Sequence, residues 1–495
     1  MAKPLQARRT RASSFRFRGF LAVSVGLCLA PMLAGCLTTE QPDIAVEIPG
    51  SYRAAPGTPS NHPPKLDWWR DFRSKELTDL MEEAQAANFD IAAAIARIIQ
   101  ADGASKIAGA PLFPSVDFNA SATRTRSSQA TGGNSSSTGG GGSERATYQA
   151  ALNASYEIDF WGKNRATSEA AQQIALASRF DRDTVVIATE VSVATAYFLV
   201  LSSQDRLRIA RQNVEAADRV LTLIKQRFEA GTASALEVAQ QETLVAQQRA
   251  SIPPLDQILR QNVATLALLV GRAPVLVKVR GGSLFRLGIP TVTAGLPSEL
   301  LIQRPDIRFA EAQLASADAS VTAARAAFFP SITLTGQYGV VSTALKNLFT
   351  PQAIFYQIAA GLAQPVFDGF RLEGQLEQAQ GRQLELLSNY RRSIVSGFAD
   401  VERALIAITD NAELERLQQQ VVTASRQAFN IAESRLREGT VDLTTVLITQ
   451  QALFNAQDNQ VVARLARLQA VLSLYQALGG AWMPPEKIGA INAKR

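Results

Sequence analysis

The chain states one long architecture twice. Phe113-Pro114-Ser115 recurs as Phe329-Pro330-Ser331, 216 residues on, and Asp90-Ile91 recurs at the same offset as Asp306-Ile307. The hexapeptide running from Arg227 to Thr232 recurs 208 residues on as Arg435 to Thr440, with Gly231-Thr232 matching Gly439-Thr440. A period this long exceeds the roughly 20–50 residues of solenoid units. It marks a duplicated half-protein, each half predicted to hold a pair of strands and then a hairpin of very long helices.

Strict alternation identifies the strands. Val116, Phe118, Ala120 and Ala122 share one face, with Asp117, Asn119, Ser121 and Thr123 opposite. Tyr148, Leu152, Tyr156, Ile158 and Phe160 oppose Gln149, Asn153, Glu157 and Asp159; Ile332, Leu334, Tyr338 and Val340 oppose Ser331, Thr333, Thr335 and Gln337. The expected spans are about 114–126, 146–160, 330–341 and a less regular 353–367. Segments of about ten residues, apolar on one side and polar on the other, suit a membrane barrel with a wet lumen. Half-buried strands of a soluble sheet would alternate the same way. Four strands cannot close a membrane barrel, and an open edge in lipid leaves backbone groups unpaired. The barrel is therefore expected to be shared: two chains supply eight strands, three supply twelve.

Long helices are expected over about 162–229, 236–272, 370–437 and 443–478. No proline or glycine interrupts the first between Gly162 and Glu229, which at about 1.5 Å per residue is roughly 100 Å. Leu207, Ala210, Val214, Ala217, Leu221, Ile224 and Phe228 step by three and four as a heptad seam, echoed by Val422, Phe429 and Leu436. Gly231 and Gly439 are placed to terminate these helices. Pro253-Pro254 must break or bend the first return helix. The apolar run 184–201 contains Glu190 and continues helically in both directions, so it reads as part of a long soluble helix rather than a membrane span.

The first 35 residues read as an export signal. Lys3, Arg8, Arg9, Arg11, Arg16 and Arg18 precede an apolar stretch that ends in small residues. Leu33-Ala34-Gly35-Cys36 resembles a lipobox, which makes Cys36 the expected lipidation site. The whole chain carries +6, matching those six basic residues, so the remainder is near neutral and nucleic-acid binding lacks support. Residues 36–64 are expected to be a Pro-rich tether. Residues 127–145, nearly all Ser, Gly, Thr and Asn, are expected to be a loop. The halves are assigned to 65–285 and 286–482, with a tail over 483–495. After residue 36 the only histidine is His62, and no catalytic or metal-binding arrangement is legible, so the expectation is no enzyme, no cofactor and no metal.

Ordered motifs then join these readings. They include Trp68-Trp69 with Phe72, Phe160-Trp161-Gly162-Lys163, Gln303-Arg304-Pro305-Asp306-Ile307-Arg308, Phe328-Phe329-Pro330-Ser331-Ile332, Phe367-Asp368-Gly369 and Ala477-Leu478-Gly479-Gly480-Ala481-Trp482. Together they resemble the TolC/OprM-type outer-membrane factors, especially the NodT-like lipoprotein branch. The resemblance implies a homotrimer in outer-membrane lipid, with a 12-stranded β-barrel continuous with a periplasmic α-helical barrel. It implies a passive exit duct for small toxic compounds, working with a periplasmic adaptor (membrane fusion protein) and an inner-membrane efflux transporter. It implies adaptor contact at the helix-hairpin tips, here Arg227, Gly231, Thr232, Arg435, Gly439 and Thr440. Relatives often read Val-Leu-Asp-Ala-Gln-Arg beyond the second tip, where this chain has Val446-Leu447-Ile448-Thr449-Gln450-Gln451. A charged gate is thereby put in doubt, and Thr444, Ile448 and Gln451 are constriction candidates by position. A duct for protein secretion and a non-spanning periplasmic coiled-coil lipoprotein are the competing readings.

Overall fold

The computed structural model describes residues 46–54, 66–126, 144–292, 294–480 and 482. The signal segment, Cys36, His62, the 127–143 stretch and the 483–495 tail lie outside the described residues. In chain order the elements are α1 (Lys75–Ala87), α2 (Phe89–Gly109), β1 (Ser115–Arg126), β2 (Glu144–Ile158), α3 (Lys163–Glu229), α4 (Ala235–Ala250) and α5 (Ile252–Leu269). There follow α6 (Pro297–Gln303), α7 (Pro305–Ala326), β3 (Ser331–Ser342), β4 (Ile354–Ala363), α8 (Arg371–Arg437) and α9 (Leu443–Ala477). The fourth strand thus stops short of the expected residue 367. The prolines at 253 and 254 split the first return helix at Ser251, whereas α9 runs unbroken for 35 residues.

The chain divides into two compact units. The first comprises Ser105–Gln172 and Ala315–Glu385. Its centre is an antiparallel sheet in the order β1-β2-β3-β4. The register aligns the alternation of all four strands. Phe118 pairs with Leu152, Leu152 with Tyr338 and Tyr338 with Tyr356; Val116, Ala154, Gly336 and Ile358 form the next row of that face. On the other face Asp117 pairs with Asn153, Asn153 with Gln337 and Gln337 with Gln357. A slip of one residue in any pair would exchange the faces. Tyr356 and Ile358 are 78% and 85% exposed, as on a sheet whose apolar side has no protein cover. From Tyr148 to Ile158 the apolar series spans about ten steps of ~3.4 Å, or roughly 26 Å of height at a tilt near 40°, the height of a lipid-facing band. β1 and β4 each pair along one side only. Gly339 sits where a Cβ would lie 2.6 Å from that of Ala151, so no larger residue fits without spreading β2 from β3.

The strand ends carry the quoted motifs. Trp161 stacks on Phe329 at 4.6 Å and its indole N–H donates to the Pro330 carbonyl at 2.9 Å, so the motifs of the two halves meet. The Asp159 carboxylate accepts from the N–H groups of Asn164 and Arg165 at 3.0 and 2.8 Å, satisfying orphan donors at the start of α3. Asp368 does the same for Leu372 at 3.1 Å in the second half.

The second unit comprises residues 46–104, Gln173–Leu314 and 386–482 among those described. Trp68 stacks on Tyr475 at 4.8 Å, and Phe72 packs against Phe198 at 5.2 Å. Val193, Ala194, Phe198, Val200 and Leu201 are buried in the same cluster, so the apolar run in α3 is core. Arg304 of the Gln-Arg-Pro-Asp motif binds Asp306 at 2.6 Å, Asp400 at 3.3 Å and the Ala477 carbonyl at 3.0 Å, capping the end of α9.

Two expectations are corrected here. Part of the supposed tether is docked: Tyr52 is buried among Leu300, Val401, Leu405 and Leu474, and the N–H groups of Arg53 and Ala54 donate to Glu402 at 3.2 and 3.0 Å. The burial of one aromatic ring and two charge-assisted bonds hold residues that composition alone left free. The seam along α3 holds only in part: Leu207, Ala210, Ala217 and Ile224 are buried, but Val214 and Leu221 are half-buried, Phe228 is 47% exposed, and Val220, off the seam, is buried instead. In α8, Val422, Phe429 and Leu436 are all buried.

Candidate functional site: the helix-hairpin tips

Both tips are built by the same local chemistry. Beyond α3, Gly231 takes φ +72° and donates to the Phe228 carbonyl at 2.9 Å, while Thr232 N–H donates to the Arg227 carbonyl at 2.8 Å. Beyond α8, Gly439 takes φ +73° and donates to Leu436 at 3.1 Å, and Thr440 donates to Arg435 at 3.0 Å. This paired bonding is a Schellman cap, and it requires a left-handed residue that glycine adopts at least cost. The hydroxyls of Thr232 and Thr440 add bonds to the same Arg227 and Arg435 carbonyls at 3.0 and 3.2 Å. The return helices begin with strong caps. Ser234 and Glu237 form a reciprocal capping box. Asp442 accepts from the Thr445 hydroxyl at 2.7 Å and its N–H at 2.9 Å, and these bonds hold its carboxyl below the usual carboxylate pKa. Each turn is therefore stiff for its length.

The tips differ in one cation. The Arg227 guanidinium crosses to the other hairpin and donates to the Leu436 carbonyl at 2.9 Å, with a second bond to Thr232 at 3.4 Å. Arg435, its repeat counterpart, is exposed. Beneath both turns Val220 and Ile224 pack with Phe429, Leu436, Leu443 and Val446. Next to this cluster lies a polar pair that sequence reasoning missed. Gln241 and Gln450 are fully buried, with Gln241 Nε2 donating to the Ala217 carbonyl at 2.9 Å and standing 3.5 Å from Gln450 Oε1. Gln241 Oε1 and Gln450 Nε2 have no partner. The legible signal was a glutamine at apolar helical spacing, between Val238 and Leu244 in one half and between Val446 and Leu453 in the other.

Of the constriction candidates, Ile448 and Gln451 come together and Thr444 does not join them. Ile448, 65% exposed, and Gln451 line an open groove of about 650 Å³ that faces Gln240, Thr243 and Leu244 of α4. None of the nine lining residues is ionisable. Thr444 is exposed nearer the turn, and Gln451 donates to Asn455 at 3.0 Å. Among the described residues no group of three or more His, Cys, Asp or Glu side chains is placed to hold a metal ion.

With this geometry in hand, comparison with known proteins is informative. The profile of a family described as "Outer membrane efflux protein" matches residues 80–272 and 296–480. The pyoverdine export outer membrane protein OpmQ of Pseudomonas putida is 39% identical over 92% of this chain and 97% of its own length. The toluene efflux pump outer membrane protein TtgI of Pseudomonas putida is 32% identical over 83% of this chain and 86% of its own. The solved outer-membrane channel OprN superposes with a TM-score of 0.83 at 24% identity, covering 91% of this chain and all of that one, so the two share a fold.

Proposed function

Because this chain belongs to the outer membrane efflux protein family, we propose that it is the exit duct of a tripartite pump, assembled as a homotrimer. The observation that carries the reading is the sheet register: four strands with one apolar and one polar face and two unpaired edges. Three copies joined edge to edge close a twelve-stranded barrel, which satisfies every backbone group in lipid and leaves a wet passage. The helices continue that passage into the periplasm, and the two Schellman-capped turns, rigid and exposed, receive the adaptor. An inner-membrane transporter supplies the energy. Cargo is small molecules, a reading favoured over protein secretion by the relatives named for pyoverdine export and toluene efflux. Cys36 carries the lipid anchor. Cys36→Ser should end palmitate labelling yet leave the barrel inserted, since twelve shared strands hold more strongly than acyl chains; labelling that persists in the variant refutes the assignment.

The gate is neutral. Ile448, Gln451 and the facing α4 residues close the tip by apolar packing and uncharged hydrogen bonds, in a groove free of ionisable groups. Purified trimers in planar bilayers should give discrete conductance steps whose open probability changes little with millimolar divalent cations or between about pH 4 and 6, where an ordinary carboxylate at the tip would titrate. Ile448→Asp should create both sensitivities by placing three carboxylates around the axis. Divalent block of the wild type that no change at Ile448 alters puts the gate elsewhere. If neither the wild type nor an Arg227→Ala chain, freed of its cross-hairpin bond, conducts at all, the duct reading fails.

A further inference from the structure

We propose that Asp117 makes the barrel lumen a cation-preferring filter, a selectivity element in the membrane portion rather than at the tips. The inference rests on the duct reading, because Asp117 faces a lumen only if the sheet closes into a barrel.

The register places Asp117 at the edge of the polar row it forms with Asn153, Gln337 and Gln357. The remaining charges on that face lie too far off or are paired. Glu157, about four residues along β2 from Asn153, binds Lys163 at 2.7 Å. Arg145, paired with Thr125, lies about eight residues from Asn153 in the other direction, roughly 27 Å at about 3.4 Å per residue. That separation is about three Debye lengths at physiological salt, so Arg145 does not neutralise Asp117. Arg124 and Glu144 occupy the opposite face and bind each other at 3.0 Å.

Barrel geometry sets the consequence. Twelve strands about 4.8 Å apart, tilted near 40°, give a backbone diameter of roughly 24 Å. Inward side chains reduce this to a passage of roughly 12 Å, so each carboxylate stands within about one Debye length of the axis at 0.15 M salt. Strand tilt makes each row slanted, so the trimer carries three inclined polar tracks, each with one carboxylate at its β1 end. The amides of Asn153, Gln337 and Gln357 offer hydrogen bonds to a passing solute, and Asp117 supplies the sign of the field. An uncharged groove at the tip leaves this sign unopposed there.

Reversal potentials across a KCl gradient test the inference, with channels of the wild type and of the Arg227→Ala chain. Near 0.1 M salt, K⁺ should pass in preference to Cl⁻ by about threefold or more, and the preference should fall toward unity at 1 M, where the Debye length is about 3 Å. Asp117→Asn should bring the ratio near one at both salts, Asp117→Glu should retain the preference and Asp117→Lys should reverse it. Channels that conduct but show no cation preference, or that keep it in both Asp117→Asn and Asp117→Lys, overturn the filter and leave the duct standing. Chains that never conduct overturn both.

Discussion

Ile224→Asp is expected to destabilise the tip core by about 4 kcal/mol or more and to deplete the assembled protein from the outer membrane. Ile224 is fully buried against Phe429, Leu436, Leu443 and Val446, and none of these can accept or donate a hydrogen bond through its side chain. A carboxylate there must ionise without solvent, protonate at a cost, or force α3 away from α8. Leu221→Asp, three residues earlier in the helix but half-buried, should cost far less because its carboxylate reaches water. Denaturation midpoints followed by circular dichroism separate the two. Equal losses for Ile224→Asp and Leu221→Asp would show that the buried face of α3 has been misplaced. Both carboxylates lie on one helix within a turn of each other, so propensity differences do not blur the comparison.

Glu190 should make the helical unit less stable as pH rises through neutrality. It lies buried in α3, accepts from the Gln85 amide at 2.7 Å, and burial pushes its pKa up to about 7, against the opposing effect of that bond. The folded state therefore holds a proton that the unfolded chain releases near pH 4.5. The stabilisation is complete below the unfolded value, declines between about pH 4.5 and 7, and is gone above the folded pKa, a swing of roughly 3 kcal/mol. Asp159 works in the opposite sense: although burial raises its pKa, the bonds from the Arg165 and Asn164 N–H groups lower it below the usual value, so its contribution is lost as pH falls. Comparing wild type with Glu190→Gln isolates the buried acid. The variant should match the wild type near pH 4 and exceed it near pH 8. A constant difference across that range would mean that Glu190 is ionised throughout.

Much of the tip was readable before the fold because its causes are local. A glycine at the end of a long helical pattern, followed by Thr and a capping residue, places the turn within one residue, and both Gly231 and Gly439 behave so. Strand identity was equally local, since alternation with period two is written in each segment. The extent of β4 was less legible because its aromatic and proline neighbours break the alternation.

What the chain by itself determined, then, was element type, the glycine-capped helix ends, the duplication and the face each strand residue occupies. Only tertiary structure decided which residues meet. Local spacing in α3 could not choose between Val220 and Leu221, because a helix drifts about 20° per heptad against a strict seven-residue repeat and the neighbour's position settles the choice. The reach of Arg227 to the Leu436 carbonyl, the buried Gln241–Gln450 pair and the docking of Tyr52 beside Glu402 each join residues more than two hundred positions apart. The row from Asp117 to Gln357 likewise exists only once three strand pairings are in register. Such contacts depend on which apolar surfaces can be buried together, a property of the whole chain that no window of sequence contains.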